Sequence, residues 1–269
     1  MTVIDPDFLT ENVERLEEFL LSLPIGSLFT GEIYRLSDEP LLGSDERLLG
    51  LSLEGFSDEP MWLDAISVGR LFMAPDGSTV AALNVAEGDD GTPAGVRMMS
   101  DNAFVQEDEP VTIVAYQDED GPRVRIDSLH LARVMLSEDA PLRFCTIAFG
   151  LMACTAYRHG FSRISLYAGG NGPPPKFLTD GDFIGYFVWP KFGFDAQLLP
   201  VDLNTSPDHV RACTSVLEVV EADAAWWEAN GRGRDMYFDL AAGSTSWSVL
   251  LNYLYTVLLE DDDEHEEEG

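Results

Sequence analysis

The chain is poor in basic residues. Of its 269 residues only 16 are lysine or arginine, and only two of these are lysines, Lys176 and Lys191. The 48 acidic residues give a formal net charge of −32 at pH 7. A surface of this sign repels the phosphates of nucleic acids and the head groups of anionic lipids. We therefore expect neither a nucleic acid nor a membrane among the partners.

Cysteine and long apolar runs are scarce as well. The three cysteines form no CxxC pair, which argues against a disulfide framework and for a reducing compartment. The four histidines show no metal-ligand spacing, so we expect no metal. The N-terminus has no basic segment typical of a signal peptide, and the longest apolar stretch, residues 144–157, is too short to span a bilayer. The sequence predicts a cytoplasmic protein.

The acidic excess has two interpretations. Carboxylates that are spread over almost every loop indicate a surface suited to solubility. A binding face or a nucleic-acid mimic would instead concentrate them on one side, and the spread favours the first interpretation. In either case the partners that such a surface attracts are a cationic small molecule or a basic protein. The sequence leaves the oligomeric state open.

The periodicity of apolar residues changes twice along the chain. An amphipathic helix is predicted at 8–23, and a possible strand at 50–56. Four further strands, joined by short turns, predict an antiparallel meander: 79–86, 95–99, 110–117 and 123–136. The pattern then predicts a helix at 141–159, a strand at 162–168, a helix at 207–230, an edge strand at 236–240 and a helix at 246–259.

These elements predict an α/β (α+β) protein with a mixed, mostly antiparallel central sheet and helices on both faces. The N-terminal helix and an irregular extension occupy 1–60, and the core occupies 61–200. A C-terminal helical extension occupies 201–259, and a disordered acidic tail occupies 260–269.

Two sequence runs in the core carry a family resemblance. Residues 144–168 read FCTIAFGLMACTAYRHGFSRISLYA, and residues 185–196 read GYFVWPKFGFDA. Together they resemble the GNAT-type fold of acyl-CoA N-acyltransferases, in which a strand, a helix and a strand precede a helix and a closing Gly-Phe strand. The resemblance covers 123–195 well and the upstream meander weakly. It implies that the pantetheine arm of acetyl-CoA or another acyl-CoA lies between two splayed strands.

The resemblance also implies roles for particular residues. The backbone of Leu131, Ala132, Arg133 and Val134 would hold the pantetheine amides, and Arg143 would meet a phosphate. Family members often carry a tyrosine acid four residues before the closing glycine, but this chain has Trp189 there. Tyr186 is then the candidate for the acid. The implied activity is a transferase reaction that moves an acetyl group to a cationic amine.

The loop that should hold the phosphates departs from the family pattern. Residues 136–143 contain no glycine, and Pro141 has no N–H to donate. Glu138 and Asp139 place two carboxylates there, and Arg143 is the only compensating charge. A second interpretation is therefore retained, in which the same scaffold is a non-catalytic acidic protein that binds a basic partner.

A third interpretation comes from residue order alone. Arg35, the run 244–246 (Ser-Thr-Ser) and the Glu264-x-Glu266 pair follow the order of elements in ADP-ribosyltransferases. An acidic tail yields Glu-x-Glu by chance, and the serines also suit the start of a helix. This interpretation ranks last of the three.

Overall fold

A computed structural model describes residues 6–36, 46–53, 60–118, 126–175, 183–204 and 206–266. The chain divides into two compact units. The first comprises Met1–Ile164 with Leu240–Ala242, and the second comprises Ser165–Asp239 with Gly243–Gly269.

The first unit contains a sheet with the strand order β8-β7-β6-β5-β1-β2, and β3 and β4 form a separate antiparallel pair. Their bounds are β1 (Tyr34–Arg35), β2 (Glu46–Arg47), β3 (Gly50–Leu53), β4 (Met61–Asp64), β5 (Thr79–Val85), β6 (Gly95–Asp101), β7 (Val111–Tyr116) and β8 (Ser128–Arg133). The helices are α1 (Pro6–Ser22), α2 (Ala65–Leu71) and α3 (Phe144–Arg158), and a 3-10 turn lies at Gly26–Leu28.

The predicted meander is confirmed. β5 pairs antiparallel with β6, β6 with β7, and β7 with β8, whereas β1 lies parallel to β5. The described residues thus form a mixed α/β structure with a large, mostly antiparallel sheet, as the sequence predicted. The strand predicted at 123–136 is shorter in the structure and ends at Arg133, and residues 123–125 lie outside the described part.

α3 is the central helix of the first unit. Twelve of its residues are buried, from Phe144 to Ala156 with the exception of Cys145. A helix that is apolar on all sides must be covered on all sides, and both α1 and α2 contact it. The acidic N-terminal helix is therefore part of the core of this unit.

The second unit begins within β9 (Arg163–Asn171), whose first two residues belong to the first unit. The other elements are α4 (Gly185–Val188), a 3-10 turn (Trp189–Phe192), α5 (Pro200–Leu203), α6 (Asp208–Arg211), α7 (Val216–Asn230), β10 (Arg232–Asp239) and α8 (Thr245–Glu266). β9 and β10 are neighbouring strands. Large aromatic side chains fill the core: Tyr186, Phe194, Trp227, Phe238 and Trp247.

Several elements of the second unit differ from the sequence prediction. The helix predicted at 207–230 is two helices, because residues 212–215 separate α6 from α7. The last helix continues through Glu266, seven residues beyond its predicted end. The Gly-Phe segment implied to be a closing strand forms a single antiparallel bridge, between Asp195 and Tyr237.

Candidate functional site

β8 carries the segment for which pantetheine binding was predicted. Leu131 is buried and lies opposite Ile113, whereas Arg133 lies opposite Thr112. Because Thr112 and Ile113 are adjacent, Ala132 is an extra residue, and it forms a β-bulge. A bulge bends a strand and interrupts its regular pairing. The strand therefore changes direction within the predicted segment.

The segment ends with Arg133 and Val134, and a loop held in place by backbone hydrogen bonds follows it. Arg133 is exposed and forms an ion pair with Glu109, and Val134 is half-buried. The loop that follows is fixed by backbone hydrogen bonds. The Gln106 N–H donates to the Met135 carbonyl at 3.1 Å, and the Ser137 N–H donates to the Phe104 carbonyl at 2.9 Å. The predicted phosphate loop thus has a defined conformation.

Arg143 is the last residue before α3 and has a left-handed backbone, with φ of +69°. This conformation is uncommon for a residue other than glycine and carries strain. The Arg143 side chain makes no capping hydrogen bond to this helix. Helix geometry leaves the first N–H groups without an intrahelical acceptor, and the dipole adds positive potential. The start of α3 and the Arg143 guanidinium together provide charge that suits an anion.

The same loop also carries features that oppose an anion. Glu138 and Asp139 are exposed, so water screens their carboxylates. Pro141 contributes no N–H, and its carbonyl accepts the Phe144 N–H at 2.9 Å. The loop therefore offers a pyrophosphate one cationic side chain against two exposed carboxylates, and fewer backbone donors than a glycine-rich loop.

Tyr186 lies in α4 and is fully buried. Its hydroxyl donates to the Glu228 backbone carbonyl at 2.7 Å, and its own carbonyl accepts from Trp227 Nε1 at 2.9 Å. Burial, and secondarily the Glu228 charge, raises the pKa of Tyr186. The phenol is thus protonated at neutral pH, as an acid must be, but its proton is engaged with Glu228. Proton donation to a substrate requires this bond to open.

Trp189 occupies the position where the family often has its acid. Its ring lies 5.3 Å from the Phe194 ring in an edge-on arrangement and 5.6 Å from the Phe192 ring, measured between centroids. Such contacts are typical of an aromatic core. The indole therefore packs within the second unit.

The two serines on which the ADP-ribosyltransferase interpretation depends, Ser244 and Ser246, form hydrogen bonds at the start of α8. The Ser244 hydroxyl donates to the Asp239 carbonyl at 2.7 Å, and the Ser246 hydroxyl accepts from the Asp239 N–H at 3.0 Å. Arg35 lies in β1 of the first unit. The side chains of Glu264 and Glu266 lie outside the described part.

The structure also reveals a polar group that the sequence did not predict. His159 Nε2 lies 3.0 Å from the Ser67 hydroxyl, and the Asp64 carboxylate accepts the Ser67 N–H at 2.7 Å. Burial, and secondarily the Arg158 charge, lowers the pKa of His159. Ser67 and His159 are 92 residues apart, and no spacing rule joins residues at that distance.

Comparisons with protein-family models, curated proteins and solved structures find no match to this chain. Within the part that the structure describes, no group of three or more His, Cys, Asp or Glu is placed to hold a metal ion. Nor is any described helix long and apolar enough to cross a membrane.

Proposed function

We propose that this chain is a GNAT-like N-acyltransferase that moves an acetyl group from acetyl-CoA to a cationic amine. The observation that carries the proposal is the arrangement at Arg143: a basic residue in a left-handed conformation, whose side chain makes no capping hydrogen bond, precedes a long buried helix. The start of a helix binds anions through its dipole and through those N–H groups that have no other acceptor, and here the Phe144 N–H is already engaged with the Pro141 carbonyl. The bulge at Ala132 supports the proposal because it interrupts the strand assigned to pantetheine.

The chemistry assigns each residue a limited role. The backbone of Leu131, Ala132, Arg133 and Val134 would bind the pantetheine amides, and Arg143 would bind a phosphate. The attacking nitrogen would first give its ammonium proton to water, because a protonated amine has no free electron pair, and its neutral form would take the acetyl group from the thioester sulfur. The nitrogen would then lose its N–H proton to water, the released sulfur would take the Tyr186 phenol proton after that hydroxyl leaves the Glu228 carbonyl, and the phenolate would regain a proton from water. The negative surface favours a cationic acceptor.

Calorimetric titration with acetyl-CoA at moderate salt tests the binding step. Arg143→Gln should weaken binding about tenfold, which corresponds to about 1.4 kcal/mol. Arg211→Gln is the matched control, since it removes one exposed arginine from the second unit and should leave affinity unchanged. Absence of binding at millimolar acetyl-CoA would overturn the proposal.

The chemical step is tested by the release of free CoA thiol, with spermidine as the cationic acceptor. Tyr186→Phe keeps the aromatic ring and removes the proton, and it should lower turnover by about 10²-fold or more. The affinity for acetyl-CoA should stay the same. Equal turnover in both proteins would remove Tyr186 from the mechanism.

A second candidate is the non-catalytic acidic protein that binds a basic partner. The engagement of the Tyr186 hydroxyl with the Glu228 carbonyl favours it, because this phenol is fixed as a structural group. A chain of this kind would bind a basic peptide such as oligoarginine at moderate salt and would not bind acetyl-CoA. The two titrations together distinguish the candidates.

A further inference from the structure

The outward face of β9 and β10 in the second unit carries exposed aromatic side chains. Within β9, Tyr167 is 62% exposed between two buried residues. Within β10, Tyr237 is 43% exposed, again between two buried residues, and Asp235 is exposed as well. Side chains alternate between the two faces of a sheet, so the two tyrosines and Asp235 point away from the buried face of their strands.

The two strands run antiparallel and bring these exposed residues together. The Leu240 N–H, just after β10, donates to the Ser162 carbonyl, just before β9, at 3.0 Å. The end of β10 therefore lies beside the start of β9, and neighbouring strands in this arrangement are antiparallel. Counted along both strands from this hydrogen bond, Asp235 lies opposite Tyr167, and Tyr237 is the diagonal neighbour of Tyr167.

Two glycines form a floor beside this pair. A Cβ at Gly233 would lie 3.0 Å from the carbonyl oxygens of both neighbours of Gly169, so the two glycines lie opposite each other. It would also lie 3.2 Å from the Tyr167 hydroxyl, so the Tyr167 ring leans across the strands toward Gly233. A Cβ at Gly169 would lie 3.2 Å from the Cβ of Phe183, whose side chain is 58% exposed. Tyr167 and Phe183 thus stand over adjacent parts of a floor that has no side chains of its own.

Three aromatic rings and one carboxylate are therefore neighbours on this face. In an antiparallel pair, side chains directly opposite each other start about 5 Å apart, and diagonal ones start about 7–8 Å apart. The faces of the two tyrosine rings and of the Phe183 ring carry partial negative charge. A cation on this face would meet these ring faces and the Asp235 carboxylate, and each of them attracts it.

We propose that this face binds a small quaternary ammonium ion. Ring faces attract a cation without accepting strong hydrogen bonds, so they suit a nitrogen that carries alkyl groups rather than N–H groups. The net charge of −32 raises the concentration of cations at the surface. A patch about 8 Å across has far less area than the roughly 800 Å² that each partner buries in a stable protein complex, which favours a small molecule over a protein.

This site goes beyond the proposed acetyl transfer. A quaternary nitrogen has no free electron pair, so it cannot take an acetyl group, and the titrations contain no acetyl donor. Binding of a quaternary ammonium ion can therefore be measured whether or not the chain is an acyltransferase.

Choline is the probe, and its uncharged isostere 3,3-dimethylbutan-1-ol is the control for charge. The full chain, labelled with ¹⁵N, is titrated with each at fixed salt while its amide signals are followed by NMR. Choline should bind with a Kd on the order of 1 mM. It should shift the amide signals of Gly169 and Gly233, which lie beside Tyr167 and Phe183. The isostere should bind at least about fivefold more weakly.

Two substitutions, each with a matched control, test the location. Tyr167→Leu keeps an apolar side chain and removes the aromatic face, and it should weaken choline about fivefold. Tyr255→Leu is its control, because Tyr255 is 70% exposed on α8 of the same unit, and it should leave the Kd unchanged. Asp235→Asn should weaken choline about threefold, whereas Glu221→Gln removes the same charge from an exposed position of α7 and should have no effect.

The amide spectrum of each variant shows directly whether it is folded. Four results would each overturn the proposal: no choline binding at concentrations on the order of 10 mM, equal binding of choline and its isostere, equal weakening by Tyr167→Leu and Tyr255→Leu, or amide shifts that leave Gly169 and Gly233 unchanged. A peptide with a trimethylated lysine that binds about tenfold more tightly than choline would overturn the choice of a small molecule and indicate a protein partner.

Discussion

Glu17 joins three helices of the first unit. Its Oε1 accepts from Arg70 Nη1 of α2 at 2.6 Å and from Arg158 Nη2 of α3 at 2.8 Å. The Glu17 side chain is 8% exposed and that of Arg70 is 12% exposed, so water screens this pair little. Arg70 and Arg158 lie 53 and 141 positions from Glu17 along the chain, so the sequence pattern of the helix gave no indication of these partners.

Glu17→Gln should destabilise the protein by about 3 kcal/mol, because it leaves the buried Arg70 charge without its counter-charge. Glu18→Gln is the control, since Glu18 is the next residue of α1 and is exposed. It should change the free energy of unfolding by less than about 0.5 kcal/mol. Urea unfolding of both variants measures the difference, and equal values would contradict a central role for Glu17.

His159 makes the stability depend on pH. Its pKa in the folded protein lies below its usual value, so the unfolded chain binds more protons near pH 6. The neutral imidazole ring contributes to the free energy of unfolding above its usual pKa of about 6.5. This contribution is lost as the pH falls through the lower pKa that His159 has in the folded protein. His159→Asn keeps a polar group of similar size and removes the titration.

The free energies of unfolding at pH 7.5 and 5.5 test this prediction, in the wild type and in His159→Asn. Acidification should destabilise the wild type more than the variant, and the comparison cancels the carboxylates that both proteins share. The same pH dependence in both would show that His159 does not titrate on unfolding.

At the scale of single elements, α7 contains a break that the sequence did not predict. Asp223 has φ of −161° and ψ of 78°, which are not helical values. Its carboxylate accepts the Trp226 N–H at 2.9 Å and meets His209 Nε2 of α6, also at 2.9 Å. Asp223 therefore acts as the cap of a second helical segment.

Asp223→Ala should destabilise the protein by about 1 kcal/mol, because the N–H groups of the second segment lose their acceptor. Asp223→Asn keeps a cap oxygen and should recover most of this loss. Thermal unfolding of the two variants separates capping from the contact with His209. If both variants were equally destabilised, the negative charge of Asp223 beside His209, rather than its hydrogen bond to the Trp226 N–H, would be the stabilising feature.

The elements that the sequence predicted well are those in which local pattern and tertiary packing agree. α1, α3, β5, β6 and β7 lie within a few residues of their predicted bounds, because the same periodicity sets both the element and its buried face. The errors at 207–230 and after Arg133 have another origin. In the first region, residues 212–215 separate α6 from α7, and within α7 the Asp223 side chain competes with the helix for backbone N–H groups. In the second, the bulge at Ala132 depends on the register with β7.

The candidate site was less predictable than the fold. The sequence indicated that the loop 136–143 lacks glycine, but the left-handed conformation of Arg143 appears only in the structure. Likewise, Tyr186 was chosen because it lies close to Trp189 in the sequence, whereas its hydrogen-bond partner Glu228 lies 42 residues away. Burial and hydrogen bonding decide what a phenol can do, and both depend on tertiary contacts.

At the scale of the whole molecule, the net charge of −32 acts on every ligand that approaches. The field extends about 30 Å at 0.01 M salt and about 8 Å at 0.15 M. In the proposed acyltransferase reaction the donor acetyl-CoA is anionic and the acceptor probe spermidine is cationic, so screening should affect them in opposite directions. The association rate of acetyl-CoA should rise with salt, whereas that of spermidine should fall.

Stopped-flow binding at a series of salt concentrations measures how the association rate of each of the two molecules changes with salt. The neutral donor acetyl-N-acetylcysteamine is the control, because it has the thioester without the phosphates and should show almost no salt dependence. If salt changed the association rates of the donor and the acceptor in the same direction, local charges near Arg143 rather than the net charge of the whole surface would determine those rates. Opposite slopes would mean that the acidic surface attracts one substrate at the expense of the other, and that the optimum salt for turnover lies between the two limits.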